Sequence, residues 1–368
     1  MAKTYGVSKS PTEVIEFIEH QVAVNLFNIA KGRPRYTICI WGDKGIGKTE
    51  IVVKQLQREK IKYVIPIALS QIEEAGDILG IPHKVQDDTG KWITITAPPS
   101  WVPTVNETGI LLFDDFNRAD IRIIREFMQL LQDGTTLNWS LPPKWTIVLT
   151  ANPEEGDYVV AQLDPAMLTR MAHITMITNE KDWLIWAEGN DIDKRVMSFI
   201  AKHKEHLNPG GRTCPRTWVM FGDMIRSIDS LTTNLDLVKT YGSSVLEDES
   251  VHFFILFVKD ELTWIVEPQL ICESYTTNSK VREKVLAPIK EGRADITNMI
   301  FNRLLAYLAV KKKIVPGSTI CKNVIALFEE EYISKEVKYL FAREINNATN
   351  KTGWLTSDKL GQQLMTVL

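Results

Sequence analysis

The sequence predicts an α/β core built on a parallel five-stranded sheet, followed by a region of helices alone. Three observations predict it. Up to about residue 178, short apolar runs alternate with helical stretches, the rhythm of a parallel sheet with crossover helices. One of those runs passes directly into a glycine-rich loop with a helix behind it. Beyond Thr178 the runs fade and apolar residues recur at helical spacing instead.

The first helix is signalled by Ser10-Pro11-Thr12-Glu13, with Ser10 as N-cap, Pro11 at the first position and Glu13 closing a capping box. Val14, Ile15, Phe17, Ile18, Val22, Val24 and Leu26 then follow a helical period, and Lys31-Gly32-Arg33-Pro34 ends it. Strands are predicted at 36–41, 63–69, 110–113, 146–150 and 173–177, with a helix over 121–132. Between Ile81 and Pro103 the rhythm breaks. Val85-Gln86, a polar Asp87-Asp88-Thr89-Gly90 tip and Trp92-Ile93-Thr94-Ile95 read as an inserted hairpin.

The predicted organisation is a core domain over 1–178, with the insert at about 81–103, then a helical lid over 179–262. A mostly helical segment over 263–368 completes it, with helices at 296–310 and 320–341. No repeat or low-complexity tract interrupts the chain.

Composition narrows the function. The 368 residues are 44% hydrophobic and 24% charged, ordinary for a globular protein of two or three domains. Lys plus Arg number 43 against 46 Asp plus Glu, a net charge of -3, so no whole-protein basic field favours nucleic acid. A local basic channel stays open. No apolar run approaches the ~18 residues of a membrane helix, and residues 1–10 lack a secretion signal. The expectation is a soluble, cytoplasmic chain with no membrane partner. Cys39, Cys214, Cys272 and Cys321 are scattered, which favours buried free thiols over a zinc or disulfide framework.

Gly42-Asp43-Lys44-Gly45-Ile46-Gly47-Lys48-Thr49 matches the phosphate-loop pattern G-x-x-x-x-G-K-[ST]. Its glycines let backbone N–H groups converge on a β-phosphate at the positive end of the next helix. Lys48 is expected to reach the β and γ oxygens of ATP, and Thr49 to give its hydroxyl to Mg²⁺. The loop does not read the base, so guanine nucleotide stays open. Gly109-Ile110-Leu111-Leu112-Phe113-Asp114-Asp115 reads as a buried strand ending in two carboxylates. Asp114 is expected to hold Mg²⁺ through water, and Asp115 to orient or deprotonate the attacking water. A plain acidic turn at a helix start is the alternative. Asn152, in Thr150-Ala151-Asn152-Pro153, can hold a water or a γ-phosphate oxygen, although Asn-Pro is also an ordinary turn former. Arg170 and Arg216 are either surface solubilisers or donors to a γ-phosphate.

In this order the pieces resemble the AAA+ ATPases, and among them the MoxR and dynein-related group. Asp114-Asp115-Phe116-Asn117-Arg118-Ala119 is similar to that group's D-E-I-N-R-A, and Asn152-Pro153-Glu154-Glu155-Gly156 to its sensor 1 stretch. Leu163-Asp164-Pro165-Ala166-Met167-Leu168-Thr169-Arg170 resembles its arginine-finger box, with Met171 in place of phenylalanine. Pro215-Arg216-Thr217-Trp218 resembles sensor 2. Leu69-Ser70-Gln71 and Ala97-Pro98-Pro99-Ser100-Trp101 are similar to the stretches flanking the group's insert.

The resemblance covers residues 11–260 and implies Arg170 acting in trans on a neighbour's ATP and Arg216 acting in cis. It implies a homo-oligomeric ring, by the family's habit a hexamer, with the hairpin (Lys84, Trp92) at the pore. It further implies chaperone-like remodelling of a protein, with a von Willebrand A-domain partner. A nucleic-acid motor and a nucleotide-gated scaffold that hydrolyses little are the competing expectations. The group usually has glutamate at the position of Asp115. Aspartate is one methylene shorter, and a misplacement of about 1 Å can cost ~10²-fold, so slow hydrolysis is expected.

Overall fold

Each strand of the main sheet is short, and most are buried on both faces. The computed structural model describes residues 5–56, 60–154, 160–311, 314, 315 and 317–348, without the side chains of 346–348. The strands are β1 (Val7–Lys9), β2 (Thr37–Trp41), β3 (Tyr63–Ala68), β4 (Ile81–Gln86), β5 (Trp92–Ala97), β6 (Gly109–Asp114), β7 (Trp145–Ala151) and β8 (Met171–Met176). Six of them form one parallel sheet in the order β1-β8-β2-β7-β6-β3, while β4 and β5 pair with each other as a separate antiparallel hairpin.

The sheet therefore has six strands where five were expected. The additional strand, β1, has three residues and no readable alternation. Pairing with β8, Val7 opposite Ile174 and Lys9 opposite Met176, is what makes it a strand. Its approach needs Gly6, since a Cβ there would stand 2.2 Å from the His173 carbonyl oxygen, and its φ is +80°.

Alternation along the buried strands sends side chains to two opposite cores. Ile38, Ile40, Leu112, Val148 and Ile174 pack with Val14, Ile18 and Val22 of helix Pro11–Ala30 and with Ile51 and Val52. Cys39, Trp41, Leu111, Phe113 and Leu149 pack on the other face with Ile124, Phe127, Leu131 and Met167. Helix Pro11–Ala30 starts as predicted: the Ser10 amide donates to Glu13 Oε2 at 3.0 Å, and the Glu13 amide to Ser10 Oγ at 3.5 Å. The predicted helix 121–132 is two, Ile121–Glu126 and Met128–Asp133, hinged at Phe127. The hairpin tip is tied by Asp87, whose Oδ1 accepts from Thr89 N at 2.9 Å and Lys91 N at 3.0 Å.

The chain divides into two units, Met1–Thr178 and Asn179–Leu368. The second is helical through its described residues. One hydrophobic core, from Trp183 to Ile345, joins helices from both predicted C-terminal segments, with Phe199, Trp218, Phe221 and Phe254 in mutual ring contact. The predicted helix 320–341 is again two, Thr319–Glu329 and Lys335–Ala348. All four cysteines are buried and free. No helix among the described residues is long and apolar enough to cross a membrane.

Candidate nucleotide site

The connection leaving β2 and the one leaving β7 run over opposite faces of the sheet. Ile51 and Val52, after β2, lie in one core, and Leu163 and Met167, after β7, lie in the other. Adjacent parallel strands whose connections part in this way leave a crevice at their carboxyl ends, where ligands bind in open α/β sheets. The loop Gly42 to Gly47 follows β2 there, Asp114 ends β6, and Asn152 follows β7.

The loop is shaped by its glycines. Gly45 and Gly47 have φ of +71° and +98°, and at Gly42 a Cβ would stand 2.6 Å from the Met176 carbonyl oxygen. Ile46 is buried in the core and pins the loop, while Asp43 and Lys44 are exposed. Gly47 caps a helical segment, Lys48–Glu50, which widens into a π-helical turn, Ile51–Gln55.

Lys48 is buried, and its Nζ donates to Gly42 O at 2.7 Å, Asp43 O at 2.8 Å and Asn152 Oδ1 at 3.1 Å. All three acceptors are neutral. Burial pushes its ammonium down to about 8, against the opposing pull of Asp115, Asp114 and Asp43. A buried cation whose hydrogen-bond acceptors among the described residues are carbonyls is chemistry that an anion such as phosphate would satisfy.

The acids are separated by role. Asp114 Oδ1 accepts from Thr49 Oγ1 at 2.6 Å and from Thr150 Oγ1 at 2.5 Å. Asp115 turns away in the left-handed region (φ 53°, ψ 44°), a conformation that aspartate tolerates better than most residues. Its Oδ1 accepts from Asn152 Nδ2 at 2.9 Å, and its Oδ2 lies 3.6 Å from Arg118 Nε. Asp115 precedes a short 3₁₀ turn, Phe116–Arg118, while Asp114 is joined to Thr49 at the end of the glycine loop. Thr49 with Asp114 fits Mg²⁺, which takes few protein oxygens and keeps water and phosphate as its other ligands. Among the described residues no group of three or more His, Cys, Asp or Glu forms a separate metal cluster.

Two buried residues with no role assigned from sequence hold this arrangement. Asn117 Nδ2 donates to Asn152 O at 2.8 Å, and Asn152 N donates back to Asn117 Oδ1 at 3.0 Å. Thr150 accepts from Asp115 N at 2.9 Å while bonding Asp114. Asn117 sits inside the quoted D-D-F-N-R-A stretch, the one signal that could have found it. Thr150 carried none, since threonine is an ordinary strand former. Glu154, also buried, accepts from Leu163 N at 3.2 Å and Tyr5 Oη at 3.1 Å. Glu155 and Gly156 of the sensor 1 stretch lie outside the described residues.

The crevice thus gathers Lys48, Thr49, Asp114, Asp115 and Asn152. Arg170 is elsewhere. It precedes β8, whose Met171 is paired with Thr37 at the start of β2, five residues before Gly42. That places it about 17 Å down the strands, at the opposite edge of the sheet. There its Nε donates to Gln132 Oε1 at 2.9 Å and its guanidinium to the Ala166 carbonyl. Arg216 belongs to the second unit, exposed in the first turn of helix Pro215–Ile225, beside Trp218, whose buried indole donates to His206 O at 2.7 Å.

No family model matches the sequence, and no curated protein matches it. Among solved structures, the chain is similar to the RuvB Holliday junction branch migration motor of Thermotoga maritima, at 13% identity over 76% of each chain with a TM-score of 0.36. A mutant of that RuvB is similar at 14% identity over 71% of this chain and 76% of that one, TM-score 0.38. A full-length MCM homolog from Methanopyrus kandleri is similar at 14% identity over 65% and 53%, TM-score 0.28. At these values the likenesses carry no weight for function.

Proposed function

We propose that the chain is an ATPase of the AAA+ kind, of the MoxR and dynein-related group, working in a homo-oligomeric ring to remodel a protein partner. The observation that carries the ATPase reading is the convergence of Lys48, Thr49, Asp114, Asp115 and Asn152 at one carboxyl edge of a parallel sheet, around a buried ammonium whose hydrogen-bond acceptors among the described residues are carbonyl oxygens. Lys48 holds the β and γ oxygens of ATP. Thr49 and Asp114 would hold Mg²⁺, which supplies charge neutralisation at the phosphates. Asp115 orients the attacking water and takes its proton, with Asn152 steering the carboxylate.

Support for a ring comes from Arg170. On its own chain it stands at the wrong edge of the sheet, so it can donate to a γ-phosphate only on another copy's nucleotide. By the sequence resemblance, Arg216 would be the arginine that acts in cis. A von Willebrand A-domain protein is the partner the sequence resemblance suggests, and Lys84 and Trp92 of the hairpin would be the contacts at the pore of the ring.

One observation favours a slower, gate-like version of the same machine. Asp115 is short and engaged by both Asn152 and Arg118, which supports low turnover. The test is ATP turnover by the wild type beside Lys48→Ala, Asp115→Asn and Arg170→Ala, with the mass of the particle measured with and without ATP. Turnover in an assembled ring, lost in all three variants, upholds the proposal. Assembly on ATP without turnover, even with candidate protein partners added, leaves a nucleotide-gated scaffold. Stimulation by nucleic acid in place of protein moves the chain to the motor class.

A further inference from the structure

Thr150 is fully buried near the end of β7, and its hydroxyl makes two bonds of opposite sense. It donates to Asp114 Oδ1 at 2.5 Å and accepts from Asp115 N at 2.9 Å. The same Asp114 oxygen accepts from Thr49 Oγ1 at 2.6 Å. A continuous path of hydrogen bonds therefore runs from Thr49 through Asp114 and Thr150 to the backbone of Asp115. One end of that path is the pair assigned to Mg²⁺, and the other is the acid assigned to water.

Asp115 needs such a hold. Its left-handed backbone is a sparsely populated conformation that persists when its surroundings over-determine it. Thr150 anchors the amide and Asn152 anchors the carboxylate. Valine would match the shape of Thr150 and break both bonds, leaving the part-buried Asp115 N–H without this acceptor.

We infer that Thr150 is a positioning residue for hydrolysis, setting the backbone of Asp115 against Asp114 and coupling metal binding to the placement of the attacking water. The inference rests on the ATPase reading. It differs from a purely structural role for Thr150, in which a valine would change stability and leave the chemistry alone.

The test compares wild type, Thr150→Val, Thr150→Ser and Thr150→Ala, each also in an Asp115→Asn background, for kcat, ATP affinity and the Mg²⁺ concentration at half-maximal rate. Thr150→Val is expected to lower kcat by ~10²-fold, the loss that a displacement of about 1 Å produces, with ATP affinity changed less than about threefold. Its half-saturating Mg²⁺ rises, and Thr150→Ser restores both quantities. With Asp115→Asn already present, Thr150→Val lowers the residual rate no further. A Thr150→Val enzyme with wild-type kcat and Mg²⁺ dependence overturns the inference while the ATPase reading stands. So does an equal further loss in the Asp115→Asn background. If Thr150→Val does not fold, Thr150→Ala and Thr150→Ser decide: equal rates in the two overturn the inference. A wild type that never hydrolyses ATP brings down the ATPase reading, and this one with it.

Discussion

Lys48 Nζ and Asn152 Oδ1 lie 3.1 Å apart, joining the glycine loop after β2 to the end of β7. That contact closes the crevice between the two strands whose connections part over opposite faces of the sheet. It also makes a neutral amide the side-chain partner of a buried cation, and so leaves room for an anion's charge.

The titration of Lys48 provides a test. Burial lowers its ammonium to about 8, so the folded chain sheds this proton before the unfolded chain does. Between about pH 8 and the ordinary lysine range near 10.4, stability rises with pH as the cost of burying the charge disappears. Below pH 8 the cost is present in full. Binding of a phosphate-bearing ligand restores the charge, so ADP affinity is expected to fall above pH 8 by up to roughly tenfold per pH unit. Calorimetric titration of ADP at pH 7, 8 and 9 checks this; Lys48→Arg, which cannot titrate, serves as the flat control. A flat wild-type profile would sink the assignment of Lys48 to the phosphates.

Asp115 separates binding from chemistry. Asp115→Asn is expected to keep ATP affinity and lose ~10²–10⁴-fold in kcat, the range for removal of a general base. Asp115→Glu is expected to raise kcat by extending the carboxylate. It also puts a less tolerant residue into the left-handed region, at about 1 kcal/mol of stability. Steady-state rates and urea unfolding of the two variants read both effects. An Asp115→Glu enzyme no faster than wild type would refute the account from side-chain length.

Arg170 predicts complementation. Arg170→Ala is expected to bind ATP as wild type does and to turn it over ~10³-fold more slowly, since the lost donor belonged to a neighbour's site. Lys48→Ala is dead for the opposite reason. Mixed rings pair an intact Arg170 with an intact Lys48 at some interfaces, so mixing the two inactive variants should restore part of the activity. A mixture as inactive as its components argues that Arg170 does not act in trans.

In the helical unit, Arg303 is buried on helix Ala294–Val310. Its guanidinium donates to Ser198 Oγ at 2.8 Å, with Glu188 at 3.9 Å and Glu267 at 3.7 Å. Burial raises the Glu188 carboxyl, and Arg303 pulls it back. Arg303→Ala is expected to cost ~3 kcal/mol, by removing the guanidinium that faces these acids and leaving a cavity where the side chain was, although Glu267 keeps its ion pair with Lys194 at 3.0 Å. Arg303→Met, which fills the space, should lose less. Denaturant unfolding of both compares the packing and charge contributions; an alanine variant as stable as wild type rules out the ion cluster as a support.

Much of the fold was legible because its signals are local. The phosphate loop is eight consecutive residues, and the acidic strand is a continuous apolar run ending in Asp114-Asp115. Both chemistries depend on residues near each other in the chain, so their order and spacing are enough. The capping box at Ser10 and the hairpin turn at Asp87 could be read for the same reason.

The remainder was decided by contacts between distant residues. Strand β1 exists because β8 offers it an edge 167 positions further along the chain, at Val7 and Ile174. Thr150 is one β-former among many until folding brings its hydroxyl between Asp114 and Asp115. Asn117 is joined to Asn152 only by bonds that span 35 residues. Arg170 could be singled out by its motif as a candidate donor acting in trans, but its distance from its own chain's loop could not be read from the residues themselves. The direction of β8 in the parallel sheet determines that, and strand direction follows from how the whole unit buries its two apolar faces. Sequence alone determined the chemical groups; the tertiary structure decided which of them share a site, because hydrogen bonds between strands form only once the sheet has set its order.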